Sequence, residues 1–163
     1  MGLYVADRTD SLGNSIYKNA LVRATRSGNV WDRRLGMSFL PNRNIVFVVD
    51  DDPGTLRGVE RLLRQYGYDS VLFPSAEAFE SHNDFKKAVC VILDINLNGA
   101  SGIELRHRLK AAGCFVPVIY MTGNDNPAVR KAALDSGCLA YLTKPFTPTS
   151  LIEPLKRASA EPI

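Results

Sequence analysis

Five residues of this 163-residue chain carry groups that can do chemistry and stand at or just past the end of an apolar run. Asp50 and Asp51 follow Ile45–Val49, and Asp94 follows Val89–Leu93. Thr122 follows Val116–Met121, and Lys144 lies just past Leu139–Leu142. Three carboxylates brought within a few ångströms repel one another. At about 4 Å and an effective dielectric of about 20, each like-charged pair costs about 4 kcal/mol. A proton or a cation relieves that repulsion. Oxygen-only ligands in a rim open to solvent suit Mg²⁺, which binds a few carboxylates and keeps several waters. Lys144 adds a compact positive charge and Thr122 a hydroxyl. A metal, an ammonium and a hydroxyl converging on one carboxylate make a phosphoryl-transfer site. The carboxylate can be the nucleophile, and the cations offset charge on the equatorial oxygens.

Such a site requires elements that bring these positions together. Ile45–Val49 reads as a strand, with Asp52 as N-cap and Pro53 as first residue of a following helix. Leu56, Val59, Leu62, Leu63 and Tyr66 form one apolar face, and Gly67 ends that helix. Ser70–Phe73 is a second strand, and Ser75 caps a short helix that buries Ala76 and Phe79. Val89–Leu93 is apolar throughout, as a strand covered on both faces should be. Ser101 and Glu104 have capping-box spacing before a helix carrying Ile103, Leu105 and Leu109, stopped by Gly113. Val116–Met121 is the fourth strand, and Asn126–Pro127 opens a helix ending near Gly137. Leu139–Leu142 is the fifth strand. Thr147–Pro148 opens a last helix with Leu151, Ile152 and Leu155 inward and Pro154 expected to kink or shorten it. Five strands each followed by a helix imply an α/β fold with a five-stranded parallel sheet, doubly wound as (βα)5. Such sheets bind ligands at the carboxyl ends of their strands, where the five residues fall.

Composition narrows the alternatives. Hydrophobic residues make up 45% and charged residues 23%, which excludes a wholly disordered, collagen-like or coiled-coil chain. No apolar run approaches a membrane span and no signal-peptide core follows Met1, so a cytoplasmic protein is expected. The formal charge of +3 is uneven: residues 1–43 carry a net +4 and residues 44–163 a net −1. The larger part therefore offers no positive excess for nucleic acid. Residues 1–43 lack a sustained period and read as a basic flexible leader, with at most a helical turn or two through Ile16, Ala20, Leu21 and Ala24. Met37 offers an alternative start. The main domain is expected over 44–158, with 159–163 as a tail. Cys90, Cys114 and Cys138 have no metal-ligand spacing and read as reduced core thiols. His82 and His107 read as surface or edge residues.

Four separated segments resemble the receiver domain of two-component response regulators. They are Val48-Val49-Asp50-Asp51-Asp52-Pro53, Val91-Ile92-Leu93-Asp94-Ile95-Asn96, Tyr120-Met121-Thr122-Gly123 and Tyr141-Leu142-Thr143-Lys144-Pro145-Phe146. The resemblance runs over roughly residues 44–158 and implies a flavodoxin-like fold. It implies that Asp94 is the phosphoacceptor, served by a sensor histidine kinase or a histidine phosphotransfer protein. Asp51 and Asp94 would bind Mg²⁺ directly with the backbone carbonyl of Asn96, and Asp50 through a water. Thr122 and Lys144 would engage the phosphoryl group, Tyr141 would be the aromatic switch, and Lys144–Pro145 would be cis. The fourth helix, fifth strand and last helix would present a changed surface to a downstream protein or to a second copy in a phosphorylation-dependent homodimer. Asn98 stands where the family usually has proline, so the loop after Asp94 is expected to be more mobile.

Each feature also has a plainer meaning. The Asp50–Asp52 run suits a solvated helix start, Asp94 and Thr122-Gly123 suit turns, Lys144 suits a surface lysine and Tyr141 suits packing. The arrangement of all of them at strand ends favours a phosphorylation-controlled switch over a turnover enzyme. A stand-alone receiver is expected, with the N-terminal fragment of a DNA-binding transcriptional regulator as the alternative. An aspartyl-nucleophile phosphohydrolase would have an acid two residues past the nucleophile, where this chain has Asn96. A flavin module would need a hydroxyl- and glycine-rich loop where Asp50-Asp51-Asp52 stands.

Overall fold

The computed structural model describes residues 8–9, 15–17, 20–24, 30–32, 37–39, 45–82 and 84–160. The chain divides into two units, 1–42 and 43–163.

The second unit is built on five parallel strands. They are β1 (Ile45–Val49), β2 (Asp69–Phe73), β3 (Ala88–Asp94), β4 (Val118–Thr122) and β5 (Ala140–Thr143). Their order across the sheet is β2-β1-β3-β4-β5. The helices are α1 (Pro53–Gln65), α2 (Ala76–Glu80), α3 (Gly102–Ala111), α4 (Pro127–Asp135) and α5 (Pro148–Ala160). Strand side chains alternate between two faces, so β1 feeds two cores. Val46 and Val48 pack with Leu56, Val59 and Leu63 of α1 and Leu151, Ile152 and Leu155 of α5. Phe47 and Val49 pack with Phe79 of α2, Leu105 and Leu109 of α3, and Ala133 of α4. All seven residues of β3 are buried, as a central strand covered on both sides requires. The chain leaves β1 first to one side and then returns to the other, so strand order reverses there. The carboxyl ends of β1 and β3 flank that reversal, which is where such sheets open a crevice.

Local sequence explains most element ends. Asp52 caps α1 by accepting from the amides of Gly54 and Thr55, and Asn126 caps α4 by accepting from those of Ala128 and Val129. Ser101 accepts from the Glu104 amide at 3.4 Å. Gly67, Gly113 and Gly137 follow α1, α3 and α4 with positive φ, a conformation that glycine adopts without a Cβ clash. Where the sequence places the fourth strand at Val116, pairing as a strand begins at Val118. The carbonyl of Val116 is taken instead by Nη1 of Arg106 at 2.7 Å. That arginine is buried on α3, and its Nε has no partner among the described residues.

Three expectations are corrected. Tyr66 lies beyond α1 as its C-cap and is 45% exposed, so the apolar face of the helix ends at Leu63. Pro154 does not shorten the last helix, which runs to Ala160 with Leu151, Ile152, Pro154 and Leu155 buried. Core packing along that face offsets the one backbone bond the proline removes. In the first unit, Ser15–Tyr17 and Ala20–Ala24 are strands rather than helical turns. With Arg8–Thr9, Val30–Asp32 and Met37–Phe39 they form an antiparallel meander in which each strand pairs with the next. The remainder of the expected leader, and the tail from residue 161, lie outside the described residues.

Among the thiols only Cys90 is fully buried, and burial pushes it up to about 12. His82 is half-buried at the edge of the second core, its ring edge-on to Phe47, Phe73 and Phe85 at 5.0, 5.5 and 5.7 Å. His107 is exposed.

Leu63 is fully buried, whereas Tyr66 is one turn further along and half in water. Urea unfolding should show a loss of about 2–5 kcal/mol for Leu63→Ala. Tyr66→Ala should stay within about 0.5 kcal/mol of the parent, as surface changes do.

Candidate functional site

The end of β1 delivers two carboxylates with different duties. Asp50 has no exposed surface. Its amide donates to the Phe73 carbonyl at 3.1 Å, which holds the strand end in the sheet. Its Oδ1 accepts from the Asp52 amide at 2.8 Å, and its Oδ2 lies 2.6 Å from Nζ of Lys144. Asp51 is half-buried beside it. Asp52 belongs to the helix instead. Thr55 bonds its carboxylate through both hydroxyl and amide, and these contacts hold its carboxyl below the usual range.

Asp94 closes β3 with 4% of its surface exposed. The next residue is fixed by a bond from the Ile95 amide to the Met121 carbonyl at 3.0 Å. On the other side, α3 begins against the Asp94 backbone. A Cβ on Gly102 would lie 2.2 Å from the Asp94 carbonyl oxygen, so only glycine permits this approach. The Gly102 amide donates to the Ile95 carbonyl at 2.9 Å.

Lys144 reaches the site from the end of β5. Its amide donates to the Thr122 carbonyl at 2.7 Å, and the Lys144–Pro145 bond is cis. Nζ sits 3.1 Å from Asp94 Oδ1, an ion-pair distance outside hydrogen-bonding angles. Asp94 Oδ1 is therefore buried without a hydrogen bond among the described residues. Burial, above all, raises the Asp94 carboxyl, and the charges of Asp50 and Asp51 push the same way against Lys144. For Lys144, burial is the largest single influence and pulls downward. The hydrogen bond to Asp50 and the charges of Asp94 and Asp50 together outweigh it and leave the ammonium above its ordinary value.

One oxygen from each of Asp50, Asp51 and Asp94 lies within 4.8 Å of the others. The donor set is all oxygen, it is crowded with negative charge, and one buried oxygen lacks a hydrogen bond. These features fit a small divalent cation.

Thr122 is buried at the end of β4. Its hydroxyl accepts from the Asn96 side-chain amide and the Asn124 backbone amide, each at 3.1 Å, and donates to the Asn124 carbonyl. Asn96 lies in a two-residue strand that pairs with Ala100–Ser101, so the loop after Asp94 closes as a short hairpin. Tyr141 is set apart from the carboxylates. Its hydroxyl donates to Asp125 Oδ1 at 3.3 Å, and Arg130 lies over its ring at 4.6 Å. Of the expected residues, Asp50, Asp51, Asp94 and Lys144 thus share one rim. Thr122 adjoins it, held by the Asn96 side chain, and Tyr141 faces outward.

Sequence reasoning missed Gly102, the side chain of Asn96, and the Asp125–Arg130 pair. A glycine directly after the Ser101 cap is a poor helix opener and was the available signal for a close backbone approach. Nothing in the spacing of Asn96, Asp125 or Arg130 announced their partners. Beside the rim, Thr55, Gly58, Val59, Leu62, Lys144, Pro145 and Phe146 line an open groove of about 520 Å³.

Comparison with known proteins gives a consistent picture. The profile of the response regulator receiver domain matches residues 46–156. The response regulator protein TodT of Pseudomonas putida is 27% identical over 124 residues, covering 76% of this chain and 55% of TodT. The transcriptional regulatory protein FixJ of Bradyrhizobium diazoefficiens is 33% identical over 120 residues, covering 72% and 58%. The chain thus spans little more than half the length of these relatives. Among solved structures, the response regulator StyR superposes with a TM-score of 0.65 at 32% identity, covering 70% of this chain and 58% of StyR. A CheY-like receiver domain protein from Methanospirillum hungatei superposes with a TM-score of 0.64 at 26% identity, covering 71% and 93%.

Two outcomes follow from the geometry. A carboxyl raised by folding stabilises the fold while protonated, and that contribution is lost as pH rises through its folded value. Without metal at neutral pH, Asp94→Asn should therefore melt above the parent. The gap should close as the pH is lowered towards the ordinary carboxylate value of 3.8; a lower melting point for the variant at pH 7 would contradict this account. Gly102→Ala must displace the Asp94 backbone. Urea unfolding should show a loss of about 1–3 kcal/mol, the usual scale of overpacking.

Proposed function

The chain belongs to the response regulator receiver family, and from that premise we propose that residues 44–158 work as a phosphorylation-controlled switch with Asp94 as acceptor. The observation that carries the reading is the Asp94 carboxylate itself. It is buried, its Oδ1 lacks a hydrogen bond, and Lys144 and two further carboxylates surround it. An Asp94 oxygen attacks phosphorus in a phosphohistidine of a sensor kinase or a phosphotransfer protein. A P–O bond forms, the P–N bond breaks, and the imidazole leaves with the electron pair and takes up a proton.

Asp51, Asp94 and the Asn96 carbonyl would hold Mg²⁺, with Asp50 acting through water; bound there, the ion offsets charge on the phosphoryl oxygens. Lys144 neutralises a phosphoryl oxygen from the other side. Thr122 exchanges its bonds to Asn124 for one to the phosphoryl group, and Tyr141 then turns inward. The face made by α4, β5 and α5 changes and is read by a downstream protein, or by a second copy. The groove between α1 and the Pro145 loop opens beside Lys144 and leaves room for a phosphodonor protein to approach. Hydrolysis of the acyl phosphate by water resets the site slowly, which makes the domain a signal carrier rather than a turnover enzyme. Asn96 supports that view over a phosphohydrolase, because its amide is engaged with Thr122 and has no acidic proton to give a leaving group. A cytoplasmic location suits a kinase partner, and no described helix is long and apolar enough to cross a membrane. Residues 1–43 would be an added N-terminal segment, and the expected tail of 159–163 shortens to 161–163, because the last helix runs to Ala160.

A second reading has a specific observation behind it. The relatives are longer than this chain, and FixJ is named a transcriptional regulator. The same switch would then govern an output segment of a transcriptional regulator, and the size of the full gene product separates the two.

Intact-mass spectrometry after treatment with a small phosphodonor and Mg²⁺ should show one added phosphoryl group on the parent and none on Asp94→Asn. Labelling retained by that variant would move the acceptor elsewhere. Millimolar Mg²⁺ should also raise the parent's melting temperature, since the folded site binds it preferentially.

A further inference from the structure

Thr122 and Tyr141 occupy one face of the sheet. The parallel register pairs Tyr120 with Tyr141 and Thr122 with Thr143, so the two side chains are diagonal neighbours. The loop from β4 to α4 is tied to both. At its start Thr122 Oγ1 both donates to and accepts from Asn124. One residue later, Asp125 Oδ1 accepts from the Tyr141 hydroxyl. Arg130 then grips Asp125 through Nε and Nη2 at 3.2 and 2.8 Å while its guanidinium covers the Tyr141 ring. Arg130 belongs to the first turns of α4, so one side chain joins loop, helix and strand.

This inference rests on the reading that Thr122 moves onto a phosphorylated Asp94. We propose that Asp125 and Arg130 form a latch that keeps Tyr141 outward and resists the loop shift Thr122 must make, and so sets how readily the resting protein activates. Thr122 cannot release Asn124 without disturbing the neighbouring Asp125. Tyr141 cannot turn inward without giving up both the carboxylate and the stacked guanidinium. The latch is made to open. Arg130 and Asp125 are 46% and 41% exposed, so water competes for every bond in it. Its loss should shift the resting equilibrium by about two- to fivefold, the scale of an exposed ion pair with a cation–π contact. Because the contacts exist only with Tyr141 outward, removing them favours the activated arrangement.

The test uses the full chain labelled with fluorotyrosine, with the Tyr141 resonance identified by Tyr141→Phe. Beryllofluoride, a phosphoryl mimic, is titrated at fixed Mg²⁺. In both Arg130→Ala and Asp125→Ala the resting Tyr141 resonance should move towards its beryllofluoride-bound position. The half-saturating beryllofluoride concentration should fall by about two- to fivefold. A merely structural pair would alter melting temperature and the local surroundings of the ring, yet leave the half-saturating beryllofluoride concentration in place. If the parent binds beryllofluoride and that concentration is unchanged in both variants, the latch is overturned and the switch reading stands. If the parent binds none, both fail together.

Discussion

Three carboxylates face one ammonium at the end of two adjacent strands, and the rest of the structure serves that imbalance. Left in water, the acids would separate. Here the sheet forces them together, because β1 and β3 are neighbours, Asp94 closes β3, and Asp50 and Asp51 directly follow β1. Lys144 meets two of the three at ion-pair distance. The remaining deficit is the driving force for any cation or phosphoryl chemistry in the pocket. A neutral rim of the same shape would hold together better and do nothing.

Keeping such a site requires rigid walls. The Asp94 backbone is clamped between β4, which accepts the Ile95 amide, and the start of α3, which presses on it through Gly102. Asp50 is fixed by β2 and by the cap of α1. Lys144 is anchored through the backbone of Thr122. Asp50, Asp94 and Lys144 are thus placed by backbone bonds, whereas Thr122 and Tyr141 are tied at the edge of the rim through their own hydroxyls, to Asn96 and Asn124 and to Asp125.

The sheet, the caps and the rim were legible in the sequence because each is written locally. Apolar runs of about five residues end on polar groups, and Asp52, Ser101 and Asn126 precede their helices at cap positions. The misreadings share a cause. Tyr66 continues the helical spacing of α1, yet the chain turns away one residue earlier, and spacing does not record where a helix stops. Pro154 obeys a local rule that core packing overrode. Ile16–Ala24 was too short for periodicity to separate turn from strand. Arg106, Asn96, Asp125 and Arg130 took roles fixed by neighbours distant in the chain, which no window of sequence contains.

The far end of α4 is fastened differently from its start. Ser136, just past the helix, donates to the Ala133 carbonyl through its hydroxyl and pairs with the Tyr120 hydroxyl at 3.1 Å. Its own carbonyl accepts from Lys110 of α3. All of this is buried or nearly so, whereas the Asn126 end relies on exposed contacts. A rod pinned at its tail and loosely tied at its head is a lever. Small displacements beside Thr122 would become sideways travel of the leading turn, with the serine as fulcrum.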